Sequence, residues 1–257
     1  MLKVHQLNAF DDNYIWLIGC EGSRDVAIVD PGDADPVLEY LQQEGLTPCA
    51  ILITHHHGDH TGGIGELLQH YPIPVYGPAN EPIRHLSQPL REGDRVELPA
   101  CGLQLEVFDT PGHTRGHICY YGHGALFSGD TLFTAGCGRL FEGTAEQMYR
   151  SLEKLRALPD ETLLYCAHEY TQASLRFARV AEPDNADIEA RASEVAALRQ
   201  QRRPTVPATM RLEKATNPFL RSHVPQLATA AAQFVGQPLK SPAEVLGAVR
   251  RWKDYLD

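Results

Sequence analysis

Thr54-His55-His56-His57-Gly58-Asp59-His60 follows directly on Cys49-Ala50-Ile51-Leu52-Ile53. The five-residue run is aliphatic, uncharged and of strand length, and reads as a buried strand. The polar cluster therefore sits where a core strand ends and a loop begins, the usual place for chemistry on a rigid scaffold. Imidazole and carboxylate are ligands for zinc, iron and manganese, and such a density of them has little purpose in a loop without metal. Alternation along an extended segment points His55 and His57 the same way and turns His56 aside. Gly58, free in φ, is expected to turn the chain and aim Asp59 and His60 at a second ion.

The same device recurs along the chain. Residues 26–29 form a short apolar strand running into Asp30-Pro31-Gly32. Asp35 as N-cap and Pro36 as first helical residue then predict a helix ending at Gly45, and residues 63–70 predict another. Residues 104–108 alternate polar and apolar, as a half-buried strand does, and run into Asp109-Thr110-Pro111-Gly112-His113. Strands over 118–121 and 125–128 follow, the second delivering Asp130. Thr144 with Gln147 makes a capping box for a helix to about residue 158. The apolar residues 162–167 then end at His168. Strands alternating with helices give an α/β protein in which sheet and helix layers share one core.

The strand ends supply seven donors: His55, His57, Asp59, His60, His113, Asp130 and His168. Seven are too many for one four-coordinate ion and suit two ions sharing a carboxylate. The natural allocation gives His55, His57 and His113 to one ion, and Asp59, His60 and His168 to the other, with Asp130 spanning both. Two ions about 3.5–4 Å apart activate water and polarise a carbonyl or phosphoryl oxygen. Asp59 and Asp130 are thus the candidate catalytic carboxylates, Asp59 also as a proton acceptor. His117 is a candidate for orienting the loop through His113. His5, His70, His85, His123 and His223 stand among unrelated residues and read as ordinary histidines.

Composition narrows the class. A 257-residue chain with 43% hydrophobic and 22% charged residues is that of a soluble globular protein. A net charge of −10 argues against nonspecific nucleic-acid binding. There is no apolar leader, no stretch long enough for a membrane span, and no C-x-x-C pair among six scattered cysteines. The expectation is a cytoplasmic protein with reduced thiols, acting as a monomer. From about Thr171 the chain turns rich in Ala, Arg, Glu and Leu and reads as helical, giving a division into residues 1–170 and 171–257. Ser241-Pro242-Ala243-Glu244 opens a last helix that carries Val245, Leu246 and Val249 inward. Arg250, Arg251 and Lys253 fall near its end, where cations favour the helix dipole.

Taken together, Thr54-His55-x-His57-x-Asp59-His60 with His113, Asp130 and His168 resembles the metallo-β-lactamase superfamily. That resemblance implies an αββα sandwich with a dinuclear site at its edge. Phe10-Asp11-Asp12-Asn13-Tyr14, Asp130-Thr131-Leu132-Phe133, Gly136-Cys137-Gly138-Arg139, His168-Glu169-Tyr170-Thr171 and Thr216-Asn217-Pro218-Phe219-Leu220-Arg221 look like the glyoxalase II (hydroxyacylglutathione hydrolase) family. The resemblance covers nearly the whole chain. It implies hydrolysis of the thioester S-(D)-lactoylglutathione to D-lactate and glutathione, the second step of methylglyoxal detoxification. It also implies two divalent ions, zinc foremost with iron or manganese accepted by the same donors. The family's glutathione contacts fall on Arg139, Tyr170, Arg250 and Lys253, while Phe141 stands where a hydroxylated aromatic is common. The same donors would serve a lactonase, a β-lactamase, a phosphodiesterase or an iron-dependent oxygen-handling protein. Thiol release from lactoylglutathione, run beside nitrocefin, a lactone and an oxygen-uptake assay, separates these.

Overall fold

In the computed structural model, which describes residues 1–256, the chain forms two compact units. The last residue of the helical segment expected over 171–257 lies outside the described residues. The first unit holds residues 1–109 and 115–129, and the second holds 110–114 and everything from Asp130 onward. Among the described residues no helix is long and apolar enough to cross a membrane.

The first unit is built on a six-stranded sheet: β1 (Leu2–Ala9), β2 (Asn13–Cys20), β3 (Asp25–Val29), β4 (Thr47–Leu52), β5 (Val75–Pro78) and β6 (Gln88–Leu90), in that order. β1 to β3 pair antiparallel and β3 to β6 pair parallel. Helices α1 (Asp35–Glu44) and α3 (Ile64–His70) lie on the crossovers between the parallel strands, which a parallel pairing requires. β4 lies between two parallel neighbours, and this accounts for the apolar run from Cys49 to Leu52 within it. Ile15, Leu17, Ile28, Val37, Leu41, Ile51, Ile53 and Leu67 form its core. An antiparallel run of β7 (Arg95–Leu98), β8 (Leu103–Asp109), β9 (Ile118–Gly122) and β10 (Ala125–Gly129) completes the unit.

Two local expectations are corrected here. The cap of α1 is Ala34, and Asp35 is its first helical residue. The carboxylate of Asp33 accepts the Asp35 N–H at 3.1 Å, so the acidic group serving that terminus stands two residues earlier than expected. Gly58 does not take a left-handed turn. It opens a short helix, α2 (Gly58–Thr61), so helical geometry orients Asp59 and His60.

The second unit begins with a hairpin of β11 (Leu132–Phe133) and β12 (Gly136–Cys137), followed by α4 (Ala145–Arg156). Thr144 and Gln147 form the expected capping box at the start of α4. β13 (Leu163–Cys166) pairs with β14 (Ala208–Thr209). The helices are α5 (Thr171–Ala181), α6 (Ala186–Gln200), α7 (Met210–Thr216), α8 (Pro225–Val235) and α9 (Pro242–Leu256). Ala135, Leu175, Ala178, Ile188 and Val195 make one of its apolar clusters. A buried polar network supports the hairpin. Glu213 pairs with Arg191 at 2.5 Å and accepts the Ala135 N–H at 2.8 Å. Asn217 donates to Glu213 and to the carbonyls of Phe133 and Gly136, at 2.9, 3.1 and 3.0 Å. Val245, Leu246 and Val249 of α9 are buried as expected. Arg250 and Lys253 are buried as well, at 3% and 8% exposure, so neither is a solvated helix terminus.

Candidate metal centre and adjoining cavity

In the first unit four candidate donors follow β4 within six positions. His55 Nε2 and His57 Nδ1 are 3.0 Å apart, and His60 Nε2 is 3.5 Å from Asp59 Oδ2. Asp30, at the end of β3 with φ of 51°, accepts from the Thr54 N–H at 2.8 Å and its hydroxyl at 2.7 Å. Its carboxylate also takes His60 Nδ1 at 3.0 Å, which sets the tautomer and leaves Nε2 as the donor to a metal. Asn13 donates to Asp59 Oδ2 at 3.0 Å and fixes the orientation of that carboxylate. Gly32 has no alternative, because a Cβ there would stand 1.8 Å from the Asp59 carbonyl oxygen. His56 is turned to Glu81, which accepts from its ring and, at 2.9 Å, from its backbone N–H. The other oxygen of Glu81 accepts the Gly116 N–H at 2.8 Å. His117 is fully buried with its ring stacked on His55, centroids 4.9 Å apart. That stacking sets His117 against a candidate donor of the first unit.

In the second unit Asp130 presents one carboxylate oxygen to each of two histidines. Oδ2 is 3.4 Å from His113 Nε2, and Oδ1 is 3.4 Å from His168 Nε2. His113 Nδ1 donates to the Arg139 carbonyl at 2.9 Å, again leaving Nε2 as the donor. Gly138 is needed for this arrangement, since a Cβ would lie 2.0 Å from the Asp130 carbonyl oxygen. Gly138 thus packs against two candidate donors, Asp130 and His113.

These spacings are those of donors around an ion. Atoms 2.0–2.1 Å from a tetrahedral zinc lie about 3.4 Å from one another, against 3.0–3.5 Å within each unit's pairs. Imidazoles with their second nitrogen anchored, together with carboxylates, form a borderline-to-hard donor set suited to divalent transition metals.

A cavity of about 440 Å³ opens in the second unit beside His113 and Asp130. Arg139, Phe141, Tyr170, Ser174, Arg250 and Lys253 line it further. Tyr170 stacks on His168 with centroids 4.7 Å apart, and Phe141 meets His113 edge-on at 5.2 Å. Arg250 donates to the Cys137 carbonyl at 2.9 Å and to Asp254 at 2.8 and 3.1 Å, and lies 5.1 Å above the Phe219 ring. Arg139 is 3.7 Å from the same Asp254 and more than half exposed. All five residues expected to contact substrate thus line one cavity.

Glu81 and Glu213 are absent from the sequence reading, and Asp30, Asn13 and Asn217 enter it only within quoted stretches, without roles of their own. Asp30 carries the very signal used for the others, a carboxylate at a strand end. Glu81 carries none, being a lone acidic residue in a coil.

Known proteins give the arrangement its context. The family model for the metallo-beta-lactamase superfamily matches residues 9–168, and the one for the hydroxyacylglutathione hydrolase C-terminus matches residues 169–256. Hydroxyacylglutathione hydrolases of Alkalilimnicola ehrlichii and Nitrosomonas eutropha are 57% and 53% identical, each alignment covering 99% of both chains. Among solved structures, ETHE1 from Myxococcus xanthus aligns with a TM-score of 0.68 at 26% identity, covering 98% of each chain. TTHA1623 in a di-iron-bound form aligns at 0.60 and 26%, covering 85% of this chain and all of the other. Superfamily and donor set together make this a divalent-metal protein. The chain belongs to the hydroxyacylglutathione hydrolases, hydrolytic members of the metallo-β-lactamase superfamily, with that superfamily's fold and a helical C-terminal region.

Proposed function

We propose that the chain hydrolyses S-(D)-lactoylglutathione and related 2-hydroxyacylglutathiones to the hydroxy acid and glutathione. The observation that carries this reading is the cavity of the second unit. In a chain of net charge −10, Arg139, Arg250 and Lys253 line the same cavity as His113 and Asp130. Such a pocket suits the carboxylates of a peptide thiol, and charge-assisted hydrogen bonds to carboxylates are the strong ones. In this reading residues 1–170 carry the hydrolytic machinery and residues 171–257 bind glutathione.

His55, His57 and His113 would hold one ion and Asp59, His60 and His168 the other, with Asp130 as the carboxylate common to both. The pair is zinc, with iron accepted by the same donors. The di-iron form of TTHA1623 supports a two-ion count. When bound, the ions supply Lewis acidity to the thioester carbonyl and an activated water. Lys253, buried but lining the cavity, holds a glutathione carboxylate. Arg250, already bonded to the Cys137 carbonyl, fixes the shape of the wall beside it. Tyr170 and Phe141 flank the acyl end over His168 and His113. Asp59, held in place by the Asn13 amide, is the carboxylate positioned to take up a proton. The leaving thiol has a pKa near 8.5 and departs as thiolate, so no dedicated general acid is required. The protein works in the cytoplasm as a monomer.

Free-thiol release from lactoylglutathione, with nitrocefin and a lactone in parallel, is the direct test. Turnover of the lactone or nitrocefin with no thiol release would replace this reading by another hydrolase of the superfamily.

A further inference from the structure

Away from the metal donors, three cysteines of the first unit gather at the turn over residues 99–102. Cys49 Sγ lies 3.3 Å from Cys101 Sγ, and Cys20 donates to the Gly102 carbonyl at 3.1 Å. Cys49 occupies an irregularity in the β3–β4 ladder. Val26 stands opposite Pro48 and Ala27 opposite Ala50, so Cys49 has no residue across from it. A bulge of this kind re-aims a side chain and is kept where that aim matters. Cys49 is half-buried while Cys101 is fully buried. The remaining cysteines, Cys119, Cys137 and Cys166, are buried, and burial pushes the thiols of Cys137 and Cys166 up to about 11 and about 12. The hydrogen bond between Cys49 and Cys101 instead holds Cys49 below the usual thiol range and Cys101 above it.

We propose that Cys49 and Cys101 form a reversible dithiol–disulfide site, oxidised by low-molecular-weight disulfides of the glutathione type. Cys49 thiolate attacks one sulfur of the disulfide, forming a mixed disulfide and releasing one thiolate. The Cys101 sulfur, already adjacent, attacks Cys49 Sγ, closing the protein disulfide and releasing the second thiolate. The two cysteines lose two electrons and two protons, and both pass to the small disulfide as two thiols. The sulfurs move from 3.3 Å to about 2.05 Å. The crosslink joins residues 52 apart and ties β4, the strand leading into His55–His60, to the 99–101 turn. A loop of that length strongly restricts the unfolded chain, so the oxidised protein should melt roughly 5–10 °C higher. Its metal content should not change.

The metal-loaded, reduced wild-type protein is equilibrated in glutathione buffers from reducing to oxidising, then acid-quenched, alkylated and mapped without reduction. The expected product is one crosslinked peptide pair joining Cys49 to Cys101, reversed by excess glutathione. Cystamine, a disulfide without carboxylates, should give the same product, which separates the site from the proposed glutathione cavity. Cys20→Ser should keep the crosslink. Cys101→Ser should stop the reaction at a mixed disulfide on Cys49. A crosslink to Cys20, a mixed disulfide on Cys49 that persists in wild type, or unmodified thiols in the most oxidising buffer would each overturn the proposal. None of these outcomes bears on thioester hydrolysis, which is read by its own assay.

Discussion

Replacing Lys253 with methionine keeps the length and apolar stem of the side chain and removes only its charge. Lys253 is 8% exposed and lines the cavity that holds His113 and Asp130. A hydrogen bond to a charged group contributes about 1.5–3 kcal/mol, and each 1.4 kcal/mol is tenfold. KM for lactoylglutathione should therefore rise about 10- to 100-fold, with kcat changed by less than about threefold because the contact proposed to be lost is to a glutathione carboxylate and not to the reacting carbonyl. A small thioester without carboxylates should be turned over as by wild type, and metal content should hold. Arg250 is the poorer choice for this test, since its guanidinium also braces the Cys137 carbonyl and Asp254. Thiol release measured over a range of both substrates reads the split directly. Equal loss on the two substrates would mean that Lys253 only supports the fold. No loss on either would mean that the carboxylates of glutathione bind elsewhere.

Other residues give separate tests. Metal-replete protein should carry close to two ions per chain by elemental analysis, and Asp130→Asn should lower the content of both; a single ion in wild type refutes the shared-carboxylate arrangement. Glu81→Gln keeps an acceptor for only one of the His56 and Gly116 N–H groups, so metal affinity by chelator competition should fall about 10- to 100-fold. His56→Ala, which spares the bond from the backbone, should retain metal far better. Glu213→Gln leaves Arg191 buried without its counter-charge, at a cost of about 3–5 kcal/mol or a Tm lower by roughly 6–20 °C; an unchanged melting curve would show that the network under the hairpin is dispensable.

The strand-end candidates were readable because metal chemistry restricts residue type and the apolar runs before them mark the strands. Residue spacing alone predicted the capping box at Thr144 and the inward face of the last helix. Gly58 was misread since a short helix and a left-handed turn both admit glycine, and only the conformation of the neighbours decides between them. The burial of Arg250 and Lys253 was equally hidden, because a cation near a helix end is usual whether it faces water or a cavity wall. Glu81 and Asn217 act on carbonyls and N–H groups tens of residues away in sequence. No period links such partners, and a motif that contains Asn217 does not say which carbonyls it meets, so only the folded chain reveals the pairing.

The junction of the two family matches, between residues 168 and 169, has a consequence for how specificity can change. Every candidate metal donor precedes it, whereas Tyr170, Ser174, Arg250 and Lys253 follow it. The compact units divide elsewhere, since His113, Asp130 and His168 group with the helices. A recombination at residue 168 would therefore splice the wall of a single cavity from two parents, with the donors inherited intact from one. The leaving-group preference of such a chimera could drift while its hydrolytic chemistry stayed the same. That offers a route by which one ancestral catalyst diversifies its clientele through its tail alone.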